Sequence, residues 1–179
     1  MRKALLFLGI LDDADISWLV THGTTRQLAN GEVLIREGGV PDSIFLVLDG
    51  RFSVRMSSLH GHEIASLPAG EMIGEMSFVD SRPPGASVIA VDVSRVLAVP
   101  RSLLLRRLRE SAPFAARFYH ALAAFLADRL RNTVATLGYG SGESLDSGKV
   151  YQDEIDPELL DSVALAGARF DWILKQLEA

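Results

Sequence analysis

Several features that would point to particular functions are missing from this chain of 179 residues. It has no cysteine, so disulfide bonds and thiolate metal sites are excluded. No apolar run approaches the roughly 20 residues that a membrane-spanning helix needs. The 18 basic residues are outnumbered by 23 acidic ones, and a net charge of −5 is a poor match for nucleic acid. What the chain does have is a hydrophobic fraction of 48%, which is enough to build a core.

The N-terminal segment, residues 1–23, resembles a signal peptide only at first sight. Two basic residues precede the apolar run Ala4–Leu11, but Asp12 and Asp13 follow where small cleavage-site residues would be needed. We therefore expect this segment to pack on the domain and to lead into a short helix over residues 13–21.

Residues 24–99 show the pattern of many short strands separated by glycine turns. Arg51–Ser57 alternates between apolar and polar residues, as a strand with one buried face does, whereas Ile44–Leu48 is continuously apolar and predicts a strand buried on both faces. Further strands are predicted at Glu32–Arg36, His62–Leu67, Ala86–Val91 and Arg95–Val99. The predicted fold is mainly β with flanking helices (α+β): a jelly-roll β-barrel followed by a short and a long helix.

After Pro100 the apolar period changes to that of helices. Ser102–Arg109 predicts a short helix, and Ser111 and Pro113 are typical of the start of the long helix predicted over 112–137. The long helix carries two apolar stripes, one of Phe114, Phe118, Ala121 and Phe125 and the other of Leu122, Leu126, Leu130 and Leu137. Either one stripe covers the barrel and nothing more follows, or the second stripe meets another copy of the chain in a homodimer.

The glycine-rich residues 138–142 predict the end of the long helix and the start of a linker over 138–154. Asp156 and Pro157 then open a final amphipathic helix within residues 155–179. Its apolar face consists of Leu159, Val163, Ala166, Phe170, Ile173 and Leu177. This helix either folds back onto the barrel or docks on a protein partner.

The order of these parts resembles the cyclic nucleotide-binding domain, as found in bacterial catabolite activator proteins. Ala29–Gly39 is similar to the opening hairpin of the family, Asp42–Gly50 to its acid-Ser-apolar strand, and Gly74–Phe78 to its phosphate-binding cassette. The resemblance covers residues 12–137, with the barrel and long helix forming a domain over 24–137.

The resemblance implies a pocket for a cyclic nucleotide such as cAMP or cGMP, with no other cofactor. Gly74 lets the backbone approach the ligand, and Glu75 accepts a hydrogen bond from a ribose 2′-OH. Met76 and Ser77 begin a helical turn whose free N–H groups face the phosphate. Alternatively, Glu75 pairs with Arg82 or accepts from local amides and has no role in ligand binding.

One position departs from the family pattern. The family places an arginine for the phosphate just before the next strand, and Pro84 occupies that position here, followed by Gly85 and Ala86. The nearest arginine is Arg82, beyond the stiff Pro83. Three interpretations stay open: a cyclic mononucleotide held with the help of Arg82, a different ligand such as a cyclic dinucleotide or another anion, or no nucleotide at all.

Polar residues of the long helix are further candidates. By resemblance, Thr133, together with Asn132 and Thr136, would contact a bound base, or else these residues form a solvated helix face. Arg129 and Arg131 are predicted to be surface charges.

The sequence thus predicts a cytoplasmic regulatory or sensor domain that binds a cyclic nucleotide or related phosphate ligand and signals through its helices. The alternative is a degenerate domain that serves as a structural or protein-interaction module. The final helix, with Phe170 and Trp172, is the predicted surface for a partner. We expect no enzymatic activity, because common catalytic motifs are missing and His60 and His62 lack further metal ligands. We also expect no contact with DNA or membranes.

Overall fold

Two antiparallel four-stranded sheets form the centre of the molecule, and helices flank them. A computed structural model describes residues 3–140 and 157–178. The strands are β1 Thr24–Leu28, β2 Val33–Ile35, β3 Ser43–Asp49, β4 Arg51–Arg55, β5 Glu63–Pro68, β6 Met72–Ile73, β7 Ser87–Ala90 and β8 Ser94–Pro100. The helices are α1 Lys3–Ile10, α2 Asp13–His22, α3 Glu75–Asp80, α4 Arg101–Glu110, α5 Ala112–Gly140 and α6 Pro157–Glu178, and a 3₁₀ turn spans Ser57–Leu59.

The strand order confirms the predicted mainly β fold of the jelly-roll type. One sheet has the order β1-β8-β3-β6 and the other the order β2-β7-β4-β5. Every pairing is antiparallel. Two strands had no prediction of their own: β1, whose first four residues are exposed, and β6, which is two residues long. The first sheet presents one face to the second sheet and the other face to the helices.

Strand β3 explains why its sequence is continuously apolar. Phe45 and Val47 point between the two sheets, where they join a core with residues such as Phe52. Ile44, Leu46 and Leu48 point to the opposite face, where they join a second core built with the helices. All five side chains from residues 44–48 are buried, so the predicted two-sided burial of this strand is confirmed.

The long helix α5 supplies the largest part of the helical core. Its first predicted stripe, Phe114, Phe118, Ala121 and Phe125, is fully buried. The second stripe divides: Leu122 is buried in the same core, whereas Leu130 is 64% exposed. The Ser111 hydroxyl accepts from the Phe114 N–H at 3.4 Å, as expected for the cap. The helix continues to Gly140, so the prediction that residue 138 begins a linker is wrong at that end.

The final helix α6 lies against α1 and α2 of the same chain. Ala166 and Ile173 are buried in the helical core. Arg169 donates from Nη1 to the carbonyl oxygens of Leu8 at 2.8 Å and Gly9 at 3.2 Å, and its Nη2 pairs with Asp13 at 2.8 Å. Arg169 thereby satisfies carbonyls in the last turn of α1, which have no partner within their own helix.

This packing decides one detail of the predicted partner surface. Phe170 is partly buried against the helical core, so it is not freely available to a partner, whereas Trp172 is 39% exposed. The predicted linker residues 141–154 lie outside the described residues. So do the side chains of Asn132, Thr136 and Leu137, and those of Leu159 and Val163.

Candidate ligand-binding site

The site begins where β6 ends and the short helix α3 starts. Gly74 caps α3 with φ +91°, a left-handed conformation that side chains other than glycine rarely adopt. A Cβ atom at this position would lie 3.2 Å from the Ser43 carbonyl oxygen. The local sequence therefore needs glycine here, and the turn that glycine permits places Glu75 in the first turn of α3.

Glu75 is held by an arginine from the long helix. Arg129 Nη1 donates to Glu75 Oε1, and Arg129 Nη2 donates to Glu71 Oε2 at 3.1 Å and to the Met72 carbonyl oxygen at 3.3 Å. The guanidinium also lies 4.9 Å from the centre of the Phe125 ring. The side chains of Glu75 and Glu71 are only 3% and 8% exposed. Two buried carboxylates thus share one arginine.

The surroundings of Glu75 favour the neutral form of its carboxyl more than water does. Burial raises the pKa of the Glu75 carboxyl above its ordinary value of 4.5, the charge of Arg129 opposes the rise, and the nearby Glu71 adds to it. A carboxyl group in this setting favours any partner that donates a hydrogen bond to it, including a ligand hydroxyl.

A cavity of about 460 Å³ opens in front of α3. This volume falls within the range of roughly 300–1,000 Å³ that is usual for small-molecule sites. Its apolar wall comes from Ile35, Val54, Met56, Ile64, Leu67, Ile73 and Val88. The side formed by α3 and α5 comes from Gly74, Glu75, Met76, Ser77, Asp80 and Arg129, and the rim from Arg82, Pro83, Pro84, Gly85 and Ala86.

The rim segment contains Pro84, at the position where the resemblance implies an arginine, and Arg82, the nearest arginine in the sequence. Pro84 is half-buried, and its carbonyl oxygen accepts from the Gly38 N–H at 2.8 Å. The Arg82 side chain is 85% exposed, and its Nε lies 3.8 Å from Asp80 Oδ2. Asp80 Oδ1 also accepts from the Arg82 N–H at 3.0 Å. Arg82 therefore stands at the mouth of the cavity, turned toward Asp80.

Most of the residues predicted from the sequence meet at this cavity. Gly74, Glu75, Met76, Ser77, Arg82, Pro84, Gly85 and Ala86 all line it. Thr133 does not line it: the residue is exposed, and its hydroxyl donates to the Arg129 carbonyl oxygen at 2.9 Å. Whether these residues bind a ligand stays a prediction.

Arg129 is the residue that the sequence analysis missed. It was predicted to be a surface charge, and this is wrong, since its side chain is 24% exposed and bonded to two buried carboxylates. The proposed pairing of Glu75 with Arg82 is also wrong in this structure. The available signal was the position of Arg129, four residues after Phe125 and therefore on the buried stripe of α5.

Other kinds of site find no support in the part of the chain that the structure describes. There, no three His, Asp or Glu side chains gather in a way that would hold a metal ion. His60 and His62 are exposed and lie at the turn between β4 and β5. Across residues 3–140 and 157–178, no helix has both the length and the apolar character required to cross a membrane.

Comparisons with known proteins agree with this geometry. The family model for the cyclic nucleotide-binding domain matches residues 25–111. The cyclic AMP receptor protein of Thermus thermophilus is 32% identical over 136 residues, which are 73% of this chain and 59% of that protein. The chain thus spans about three fifths of the length of this curated relative.

Solved structures show the same fold. The catabolite activator protein of Thermus thermophilus superposes with a TM-score of 0.61 at 26% identity, over 97% of this chain and 86% of that one. A cyclic nucleotide-binding domain from Methylobacillus flagellatus KT gives a TM-score of 0.69 at 21% identity, over 81% of this chain and 86% of that one. Together with the barrel topology, the match of the family model identifies residues 25–111 as a cyclic nucleotide-binding domain.

Proposed function

We propose that the cavity in front of α3 binds a cyclic mononucleotide, or a closely related phosphate-bearing ligand, and that the domain acts as a regulatory sensor. The observation that carries this proposal is the cavity of about 460 Å³, which brings Gly74–Ser77 and Arg82–Ala86 together around the buried carboxyl of Glu75. A buried carboxyl beside an apolar wall suits a ligand that has both hydroxyl groups and a flat apolar face.

In the proposed complex, a ribose hydroxyl donates to Glu75 and the base lies against the apolar wall. The phosphate is met by Arg82, which leaves Asp80 and turns into the cavity. A hydrogen bond to a charged group contributes roughly 1.5–3 kcal/mol. Ordering a long, 85% exposed side chain costs about 0.5–1.5 kcal/mol. The net gain is small, so we expect weaker binding than a preordered arginine would give.

The size of this weakening sets the concentration range of the experiment. Loss of one partner from a buried charge pair costs about 2–5 kcal/mol, which is a factor of roughly thirty to several thousand in affinity. A site that would be micromolar with the family arginine is therefore expected at tens of micromolar to millimolar.

Thermal unfolding in the presence of nucleotides tests the proposal. Cyclic AMP, cyclic GMP and a cyclic dinucleotide are each added at about 1 mM. For any nucleotide that shifts the unfolding midpoint, calorimetric titration then measures the binding affinity. We expect one of them to raise the unfolding midpoint, and Arg82→Ala to remove that rise. Arg106→Ala is the matched control, because Arg106 is 60% exposed on α4 and does not line the cavity.

The outcomes separate three possibilities. A nucleotide-dependent rise that Arg82→Ala removes supports the proposal. A rise that Arg82→Ala leaves intact would mean that another group meets the phosphate. No rise with any of the three nucleotides would contradict the proposal and favour the alternative of a domain without nucleotide binding, in which Arg129 already satisfies Glu75.

We further propose that the domain forms a homodimer through α5. Leu130 and Val134 lie one helical turn apart and are 64% and 59% exposed, and Tyr119 is 49% exposed. Light scattering after gel filtration tests this: Leu130→Glu should yield a monomer, whereas Thr133→Glu, on the same exposed stretch, should affect the dimer less. A monomeric parent protein would contradict the dimer.

The setting of the sensor is part of the same proposal. We expect it to act in the cytoplasm and to pass its signal to a protein partner, with exposed Trp172 on α6 as one contact. The net charge of −5 speaks against direct contact with DNA.

A further inference from the structure

Helix α3, which forms one side of the cavity, cannot keep its conformation unaided. It has six residues, Glu75–Asp80, and helices this short are unstable in isolation. Its first turn is held by Arg129 from α5 through Glu75. Its last turn ends at Ser81, a non-glycine residue with φ +59°, which is a sparsely populated conformation for a residue with a side chain. Something must hold this second end as well.

Arg101, the first residue of α4, holds the second end. Its Nη1 donates to the Ser77 carbonyl oxygen at 2.7 Å, and its Nη2 donates to Ser81 Oγ at 3.0 Å. Its guanidinium carbon lies 5.3 Å from the centre of the Phe78 ring. One side chain therefore contacts a carbonyl, a hydroxyl and an aromatic ring, all from the end of α3.

The backbone of Arg101 is anchored independently of its side chain. Its N–H donates to the Asp42 carbonyl oxygen at 2.8 Å, at the point where β8 gives way to α4. Arg101 thus joins three parts: the last turn of α3, the start of β3 and the first turn of α4. Because the backbone anchor survives substitution of the side chain, removing the guanidinium should leave the barrel folded.

We propose that Arg101 couples α3 to α4, so that a change at the ligand cavity is transmitted to α4 through this guanidinium. The inference rests on the proposed ligand binding for its biological meaning. Arg101 does not line the cavity and is a positioning residue. It is a second connection, distinct from Arg129, because Arg129 links the first turn of α3 to α5, whereas Arg101 links the last turn of α3 to α4.

Arginine suits this position for geometric reasons. A planar guanidinium can donate in two directions while it lies over a ring, whereas a lysine ammonium is a point charge without a preferred plane. We therefore expect Arg101→Lys to retain the charge but to weaken the coupling. This separates the bridging geometry from a mere need for positive charge.

The first test needs no ligand and uses hydrogen exchange of the full chain. Arg101→Met should speed exchange at amides 78–81 by roughly tenfold to a hundredfold, the equivalent of losing one hydrogen bond to a charged group. Arg101→Lys should fall between the parent and Arg101→Met. Arg106→Met is the control, since Arg106 is exposed on the same helix and should leave amides 78–81 unchanged.

A double-mutant cycle then separates transmission from simple local support. Glu75→Gln perturbs the cavity end of α3 and should speed exchange at amides 105–108 of α4 in the parent chain. In the Arg101→Met background the same substitution should have no further effect there. Additive effects of the two substitutions at amides 105–108, or unchanged exchange at 78–81 in Arg101→Met, would overturn the inference.

A second experiment adds 1 mM cyclic AMP as the probe. In the parent chain, protection should appear at amides 74–78 and extend to 105–108, whereas in Arg101→Met it should stop at the cavity. Equal extension in both proteins would refute the coupling. If cyclic AMP protects no amide of the parent chain, its binding under the proposed function fails, and the ligand-free cycle still decides the role of Arg101.

Discussion

Replacement of Arg129 by methionine isolates the contribution of the shared cation. Methionine keeps an apolar stem against the Phe125 ring but leaves Glu75 and Glu71 without their cation. Breaking a buried ion pair by removing one partner costs about 3–5 kcal/mol. For a chain of this length, a loss of this size lowers the unfolding midpoint by roughly 6–20 °C.

The loss should depend on pH in a defined direction. The pKa of Glu75 is already raised by burial, and removal of Arg129 raises it further. When a carboxyl has a higher pKa in the folded state than in the unfolded state, the protein loses stability as the pH rises from the unfolded-state pKa toward the folded-state pKa. The cost of keeping a carboxyl of ordinary pKa 4.5 neutral grows as the pH rises above that value, so it is larger at pH 7.5 than at pH 5.0. The variant should therefore approach the parent in stability at pH 5.0.

Urea unfolding at pH 7.5 and pH 5.0 measures both quantities. Arg131→Met is the matched control: it removes the same charge two residues along α5 from an exposed position and should change stability little at either pH. Adding Glu75→Gln to Arg129→Met should restore part of the loss at pH 7.5. If Arg129→Met is no less stable than Arg131→Met, or if its deficit is the same at both pH values, the account of the cluster is refuted.

Three further predictions concern stability. Burial raises the pKa of the Asp15 carboxyl, but hydrogen bonds from Arg117 at 2.6 and 3.0 Å outweigh this effect and bring the pKa below 3.8. The ionised carboxyl therefore stabilises the fold above pH 3.8, and this stabilisation is lost as the pH falls through the pKa of the folded state. In urea unfolding, Asp15→Asn should cost about 1–3 kcal/mol at pH 7 and less at pH 3. The cost is moderate because Arg117 is 34% exposed and solvent screens its charge. An equal cost at both pH values would contradict the role of the carboxylate. Gly74→Ala should cost about 1–2 kcal/mol, because Gly74 has a positive φ and a Cβ there would lie close to the Ser43 carbonyl oxygen. Gly85→Ala is the control and should cost little in the same assay, since a Cβ at that position would meet open space. Similar costs for the two variants would disprove the steric argument. Arg169→Met should speed hydrogen exchange in α1 and α6 by roughly tenfold or more and leave exchange in β3 and β8 unchanged. Lys175→Met is the control, because Lys175 is exposed on the same helix. Unchanged exchange in α1 would show that the hydrogen bonds from Arg169 to the α1 carbonyl oxygens contribute nothing to stability.

The barrel was predictable because its signals are local. Continuous apolar residues at 44–48, alternation at 51–57 and the glycine turns each depend on neighbours in the sequence, and each corresponds to an observed strand or turn. The strand β1 has little such signal, because Thr24–Gln27 are exposed and only Leu28 is buried. Its position is set by pairing with β8, which lies about 70 residues further along the chain.

The candidate site was predictable only in part, for a related reason. Gly74–Ser77 and Arg82–Ala86 form two short segments whose order and spacing could be compared with a family. The partner of Glu75 could not be found in this way, because Arg129 lies 54 residues away on another element. An arginine in register with buried Phe118 and Phe125 was the one available hint, since a cation on a buried stripe needs a buried partner.

The contact between α1 and α6 has a consequence for the order in which the molecule is made. Leu8 and Arg169 are separated by 161 residues. At the usual pace of synthesis, the ribosome needs roughly 8–30 s to travel from one to the other. All eight strands and α5 are complete within that time, so the barrel has the opportunity to close before α6 exists. Docking of α6 then follows closure of the barrel, and until it occurs Phe7 and Leu8 have only part of the cover that they have in the folded domain.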